Sequence, residues 1–297
     1  MVGRNLLEHP DIGRFDILVP PKKELDLLNL ALVEDYLLSH EPDIIIHAAG
    51  KVGGIRANLS TPAAFLAENL YMGLNLLLAA KKANIKKFLN LGSSCMYPRD
   101  SVKPLTEDMV LTGGQLEPTN EGYAIAKIAV SRMCRYIHTE DESFQYKTLI
   151  PCNQYGRWDK FDPTQSHMVP AAIRKIHEAK EKKKNTVSIW GDGTARREFM
   201  YVGDLADCIV RAIINFDSLP EVMNVGLGRD YTINEYYKAI ADVIGYNGEF
   251  EHDISQPIGM KRKLVDVTKL KKWGWEAKTS LEEGIAKTYE FYQEGQR

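Results

Sequence analysis

No uninterrupted apolar stretch approaches the ~20 residues that cross a bilayer, so no spanning helix is expected. The first residues lack a basic segment leading into an apolar core and a cleavage site, so export is not expected. Cysteine is scarce: Cys95, Cys134, Cys152 and Cys208 are far apart and form no CxxC, which argues against structural zinc and a disulfide framework. A reducing cytoplasm is the expected compartment. Charge of one sign is also missing; the net value of −2 gives no reason to expect nucleic acid or a membrane surface as partner. There is no internal repeat and no low-complexity stretch.

What is present is an alternation of apolar strands and amphipathic helices over 297 residues, enough for one large α/β domain or two domains sharing a boundary. Residues 1–7 read as the opening of a helix, 15–19 (FDILV) as a short strand, and the positions up to Leu38 as a loop and helix. A continuous apolar strand is expected at 43–49, as in a parallel sheet covered on both faces. A long apolar helix over 62–84 follows, then a strand ending at Gly92, a helix around Tyr123 and a strand at 147–151. The pattern predicts a Rossmann-type, doubly wound parallel sheet over 1–155. Beyond it the spacing predicts a helix over 169–182 and strands at 187–190 and 198–202 around the loop 191–197. Helices are expected near 203–216, 232–245 and 279–293. Residues 156–297 are expected to form a smaller α+β substrate domain, with 198–220 returning to the first. The helices over 62–84 and 122–138 carry enough apolar surface for a helix-bundle homodimer.

Ser93, Ser94 and Cys95 fall just past a strand's carboxyl end, where open α/β sheets place ligands. Tyr123 and Lys127 are four apart among good helix formers and so share a face. An ammonium beside a phenol favours phenolate, so this Tyr is expected to be acidified and to exchange a proton with a carbinol oxygen while hydride moves. Ser93 or Ser94 can hold the same oxygen. The bland alternative is an amphipathic helix with a half-buried Tyr and a solvated Lys; the strand-terminal Ser upstream favours a catalytic site. Cys95 alone reads as a structural thiol, and His167 alone as an ordinary core or surface histidine. Arg196 and Arg197 suit a diphosphate, or else a solvated turn. The lysine run at 182–184 reads as a solvated helix end.

Gly92-Ser93-Ser94-Cys95-Met96-Tyr97-Pro98, Glu117-Pro118-Thr119-Asn120, Tyr123-Ala124-Ile125-Ala126-Lys127, Ser166-His167-Met168-Val169-Pro170 and Arg197-Glu198-Phe199 resemble the GDP-L-fucose synthase family. So does Lys51-Val52-Gly53-Gly54-Ile55. These are bifunctional GDP-4-keto-6-deoxy-mannose 3,5-epimerase-4-reductases of the extended short-chain dehydrogenase/reductase superfamily. The resemblance implies that Ser93, Tyr123 and Lys127 form a reductive triad and that Cys95 and His167 are the acid and base of epimerisation. It implies an NADP site lined by Leu91, Gly92, Ser93, Ser94, Lys127, Pro151, Cys152, Asn153, Gln154 and His167. Gly3, Lys22, Asp26 and Leu27 would belong to the same site, with Lys22 or Lys23 facing a 2′-phosphate. Lys175, Trp190, Arg197 and Lys263 would hold a GDP-sugar, and the family implies a homodimer.

The family opens with a strand and a Gly-x-x-Gly-x-x-Gly turn, of which only Gly3 has a counterpart here. The expectation is that about a dozen native residues are missing before Met1, as a strand and its phosphate turn require, and that a chain without them binds NADP poorly. Ile258 stands where the family has a substrate-contacting Asp, and Pro151-Cys152-Asn153-Gln154-Tyr155-Gly156 departs from the family's Pro-Thr-Asn-Leu-Tyr-Gly. Competing readings are a 4-epimerase, 4-reductase or 4,6-dehydratase of the same superfamily, or a nucleotide-binding protein without turnover. Dehydration wants a carboxylic acid pair after Ser93, and no carboxylate precedes Asp100.

Overall fold

The computed structural model describes residues 1–101, 103–162, 166–256 and 260–295; Ile258 lies outside them. The N-terminal half runs through helices α1 (Val2–Leu7) and α2 (Leu30–His40), strand β1 (Ile44–His47), helices α3 (Ile55–Ser60) and α4 (Pro62–Lys82), and strand β2 (Lys87–Leu91). Helix α5 (Glu121–Glu140) then leads into β3 (Gln145–Pro151) and β4 (Asn153–Tyr155). Next come α6 (Met168–Glu181), β5 (Thr186–Trp190), β6 (Arg196–Arg197), β7 (Phe199–Tyr201), α7 (Val202–Ile214) and β8 (Val222–Val225). The chain closes with β9 (Tyr231–Thr232), α8 (Ile233–Ile244), β10 (Glu249–Asp253), β11 (Arg262–Lys263), α9 (Thr268–Lys272) and α10 (Leu281–Glu294).

Strands β1, β2, β3 and β8 form a parallel sheet in that order. Their side chains alternate between two apolar layers, as the pleat demands. Phe88 of β2 meets Leu37 of α2, Leu77 of α4 and Ile137 of α5 on one face. Leu89 and Leu91 join Leu205, Cys208 and Ile209 of α7 on the other. A second core gathers Ile173 and Ile176 of α6, Val187 and Ile189 of β5, Tyr236 and Ile240 of α8, and Ile285 of α10. Helix α8 starts where a capping box predicts: Thr232 Oγ1 accepts from Glu235 N, and the Glu235 carboxylate accepts from Thr232 N. It ends at Gly245, whose φ of 71° is left-handed and cheap only for glycine.

Three expectations are corrected. Residues 15–19 form no strand: an extended segment becomes one only beside a backbone that accepts its ladder, and none pairs with it among the described residues. Ile17, Leu18 and Val19 are 40%, 46% and 59% exposed. The 191–197 loop is shorter than expected, because Arg196–Arg197 is a strand between β9 and β11. Helix α4 is long and apolar enough to span a bilayer by length and composition, against the expectation that no segment would be. Its use is internal: Phe65, Leu76 and Leu77 are buried, Asn75 Nδ2 donates to the Leu27 carbonyl at 2.9 Å, and it packs along α5 and α2.

Candidate active site

Strand β2 stops at Leu91 and the chain turns at once. Gly92 N donates to Leu149 O at 2.8 Å, and a Cβ on Gly92 would sit 3.0 Å from Met96 Sδ and 3.3 Å from that carbonyl, so the turn closes this tightly only on glycine. Ser93 caps the short 3-10 turn Ser94–Met96, its Oγ accepting from Cys95 N at 3.2 Å, which fixes where Cys95 stands. Two donors converge on the Cys95 sulfur: Asn120 Nδ2 at 3.2 Å and Lys263 Nζ at 3.3 Å.

Asn120 precedes α5, and one turn into that helix come Tyr123 and Lys127. Lys127 is buried and donates to Leu91 O at 2.8 Å, tying the helix to the end of β2. Its ammonium lies 5.9 Å from the Tyr123 ring centroid. Burial lowers the lysine to about 8. The phenol does not become more acidic, as the Tyr-x-x-x-Lys pairing predicts. Burial pushes it up, the charge of Cys95 pushes the same way, and the Ser93 hydroxyl only partly offsets them. The Lys127 ammonium, directed at the Leu91 carbonyl, is not among the groups that move it.

The carboxyl end of β1 reaches the same crevice. A Cβ on Gly50 would lie 4.0 Å from Lys127 Nζ. His47 is held uncharged, lowered to about 3 by burial and then by Lys127, and its Nδ1 has no partner among the described residues. At the end of β3, Pro151 and Cys152 are buried and Gln154 Nε2 donates to Cys152 O, leaving Gln154 Oε1 buried without a partner among the described residues. Three strand ends, a buried lysine and orphaned polar atoms fit the nicotinamide half of a dinucleotide. The residues expected at the adenosine half belong to α1 and to the segment before α2. Gly3 lies on the exposed side of α1, with nothing within 4 Å of an added Cβ, so no close approach requires glycine there. Asp26 Oδ1 caps Leu28 N, Leu27 O receives Asn75, and Lys22 is exposed.

Across the crevice, Arg197 lies beside Lys263 in the β6–β11 ladder and faces Glu117. Arg196 pairs within the chain: Asp230, 8% exposed, is 2.8 Å from Arg196 and 2.5 Å from Arg262, and the two guanidiniums hold its carboxyl low against the burial that raises it. Glu198 is structural too, accepting from Leu227 N, Gly228 N and Val265 N. Lys175 Nζ sits 5.4 Å from the Trp190 ring centroid, and Arg56 of α3, missed by sequence reasoning, sits 4.8 Å from it. Its signal was slight: a cation two residues after the Gly53–Gly54 pair. His167 stands at the N-terminal boundary of α6 without a side-chain capping bond and near Asp159, whose carboxyl burial raises and His167 in part restrains.

Residues 2–226 match the NAD dependent epimerase/dehydratase family. The chain belongs to this family. As a member, it is an enzyme that works with a nicotinamide dinucleotide. It is 57% identical to a GDP-L-colitose synthase of Yersinia pseudotuberculosis, over 98% of this chain and 94% of that one. It is 47% identical to a GDP-L-fucose synthase of Azorhizobium caulinodans, over 99% and 94%. Among solved structures, a GDP-mannoheptose C4 reductase from Campylobacter jejuni with NADP bound superposes with a TM-score of 0.87 at 30% identity, covering 98% of this chain and 95% of that one. The epimerase/dehydratase family thus supplies the frame in which the crevice at the ends of β1, β2 and β3 is to be understood.

Proposed function

We propose that the chain epimerises GDP-4-keto-6-deoxy-D-mannose at C3 and C5 and then reduces C4 with NADPH, giving GDP-L-fucose. One observation carries the reading: a thiol held by two donors and a buried phenol–lysine pair open on the same strand end. Proton exchange at a carbon beside a ketone needs groups that titrate, one on each side of the sugar, and Cys95 and His167 are the residues we assign to it. Reduction needs an acid for the C4 oxygen. Tyr123 is kept protonated by its burial and gives that proton, while Ser93 holds the oxygen and Lys127 supports the phenolate that remains. Bound NADPH supplies the hydride. Leu91, Gly92, Ser93, Ser94, Lys127, and Pro151, Cys152, Asn153 and Gln154 are the residues we assign to holding it, with Lys22 for its 2′-phosphate; the NADP in the superposed reductase supports that choice over NAD.

Lys175, Trp190 and Arg197 suit a GDP group, one aromatic face with cations around it. Glu117 Oε2 and Asn120 Oδ1 are buried acceptors with no donor among the described residues, which suits a polyhydroxylated sugar. Tyr71 and Leu78 on one face of α4, with Ile125 and Tyr136 on one face of α5, are exposed and support a homodimer through these helices. The four free cysteines support a cytoplasmic enzyme. A second reading has one specific support, the 57% identity to the Yersinia protein: the sugar is then the 4-keto precursor of GDP-L-colitose. The test is NADPH oxidation with each 4-keto sugar in deuterated water, with the product identified by NMR. GDP-L-fucose deuterated at C3 and C5 is the expected outcome. Turnover of the colitose precursor alone would replace it, and reduction without deuterium at C3 or C5 would remove the epimerase half.

A further inference from the structure

Lys263 is 8% exposed, and no carboxylate pairs with it among the described residues. A buried ammonium without a counter-charge is costly, and proteins supply one or neutralise the group. Glu198, which bears on Cys152 together with Lys263, is occupied by the backbone N–H groups of Leu227, Gly228 and Val265, and burial raises it to about 7. Arg197 lies beside Lys263 across the β6–β11 ladder, adding positive charge, and Cys152 is a buried thiol that burial strongly disfavours ionising. What its Nζ reaches is Cys95 Sγ, at 3.3 Å, from a strand 168 residues further along the chain. Asn120 Nδ2 completes the arrangement at 3.2 Å, and Ser93 fixes the turn from below. Two nitrogen donors on one sulfur match a thiolate, which accepts, better than a thiol, which must also donate.

The geometry points to Lys263 as the positioning residue of Cys95, its ammonium the built-in counter-ion of the Cys95 thiolate, and not as a contact to the sugar. This rests on the proton-exchange role given to Cys95 above and deepens it. In that step the thiolate takes hydrogen as a proton from the carbon beside the ketone. The C–H bond breaks, an S–H bond forms, and the electron pair of the broken bond passes into the enolate. Lys263 keeps its protons throughout. Its charge stabilises the sulfur before the transfer and lies next to the negative sugar after it.

The test is alkylation of Cys95 by iodoacetamide in the intact protein without sugar, followed by peptide mass spectrometry. Cys134, Cys152 and Cys208 are buried, so Cys95 is labelled selectively, and Cys95→Ser gives the blank. One opposite charge moves a thiol by roughly one to three units, of which about half survives as rate, so at pH 6.5 Lys263→Met is expected to react about tenfold more slowly than wild type. Lys263→Arg, which keeps the charge, is expected to retain most of the rate. Labelling of Lys263→Met at the wild-type rate overturns the assignment, as does an equal loss in Lys263→Arg. If Lys263→Met does not fold, wild type decides. The ratio of iodoacetate to iodoacetamide rates at Cys95 should exceed that of glutathione, and an equal ratio overturns the ion pair. Because no sugar is present, a chain that fails to turn over GDP-sugars yet labels as expected would sink the substrate reading and leave the Cys95–Lys263 pair standing.

Discussion

Tyr123 and Lys127 show how one helical turn assigns two chemical jobs. The phenol is driven up by desolvation, so in the proposed reduction it enters holding its proton and gives it only when a negative oxygen forms beside it. Tyr123→Phe is therefore expected to slow single-turnover NADPH oxidation by about 10² to 10⁴, the usual range for losing a positioned acid, with little change in melting temperature. Lys127 titrates near 8 because its ammonium is buried against Leu91 O. The sign follows from the charge. The ammonium proposed to support the Tyr123 phenolate is present below that value and lost above it. The reductive step is thus expected to fall as pH rises through about 8, and a pH profile of single-turnover rates checks this. A flat profile to pH 9.5 would remove Lys127 from the step.

The site depends on elements held at fixed distance, and the pairing of α4 with α5 is the clearest case. Gly73 stands in the middle of α4, where helix propensity alone favours alanine by about 1 kcal/mol. A Cβ there would overlap Cγ2 of Val130 on α5 and lie 2.9 Å from its Cγ1. Val130 is buried and β-branched, so it has little room to turn away. Overpacking costs about 1–3 kcal/mol, which exceeds the propensity gain. Gly73→Ala is expected to lower stability in urea titrations by about 1 kcal/mol. Because α5 carries Tyr123 and Lys127, reductase activity should fall with it. A stabilised variant would mean that the helices are free to separate.

At the scale of the molecule, the crevice joins two cores: the sheet between α2, α4, α5 and α7, and the cluster around α6, α8 and α10. Arg56 crosses between them, from α3 beside the sheet to Trp190 at the end of β5. Its positive charge also bears on Lys175, which burial has already lowered. Two cations at one indole suit a ligand that carries phosphate and an aromatic base. Arg56→Ala is expected to raise KM for the GDP-sugar about threefold to tenfold, the scale of one cation–π contact, with kcat nearly unchanged. An unchanged KM would separate Arg56 from nucleotide binding.

Much of this was legible in the chain itself. The apolar residues Phe88, Leu89 and Leu91 specify a buried parallel strand, because only a sheet covered on both faces can hide them. The four-residue spacing of Tyr123 and Lys127 places them on one helix face whatever surrounds them, and Thr232 with Glu235 sets the start of α8. Other properties depend on neighbours distant in sequence. The same Tyr-x-x-x-Lys predicts an acidified phenol, and burial reverses the sign. The adjacent Arg196 and Arg197 look alike, yet only the fold supplies Asp230 to hold the first. By resemblance Lys263 is a cation for the GDP-sugar, and only β11 carries it to within 3.3 Å of Cys95. Spacing along the chain fixes periodicity and local caps, which are short-range. Desolvation and the pairing of charges are set by groups that meet only in the folded molecule, so tertiary structure alone decided them.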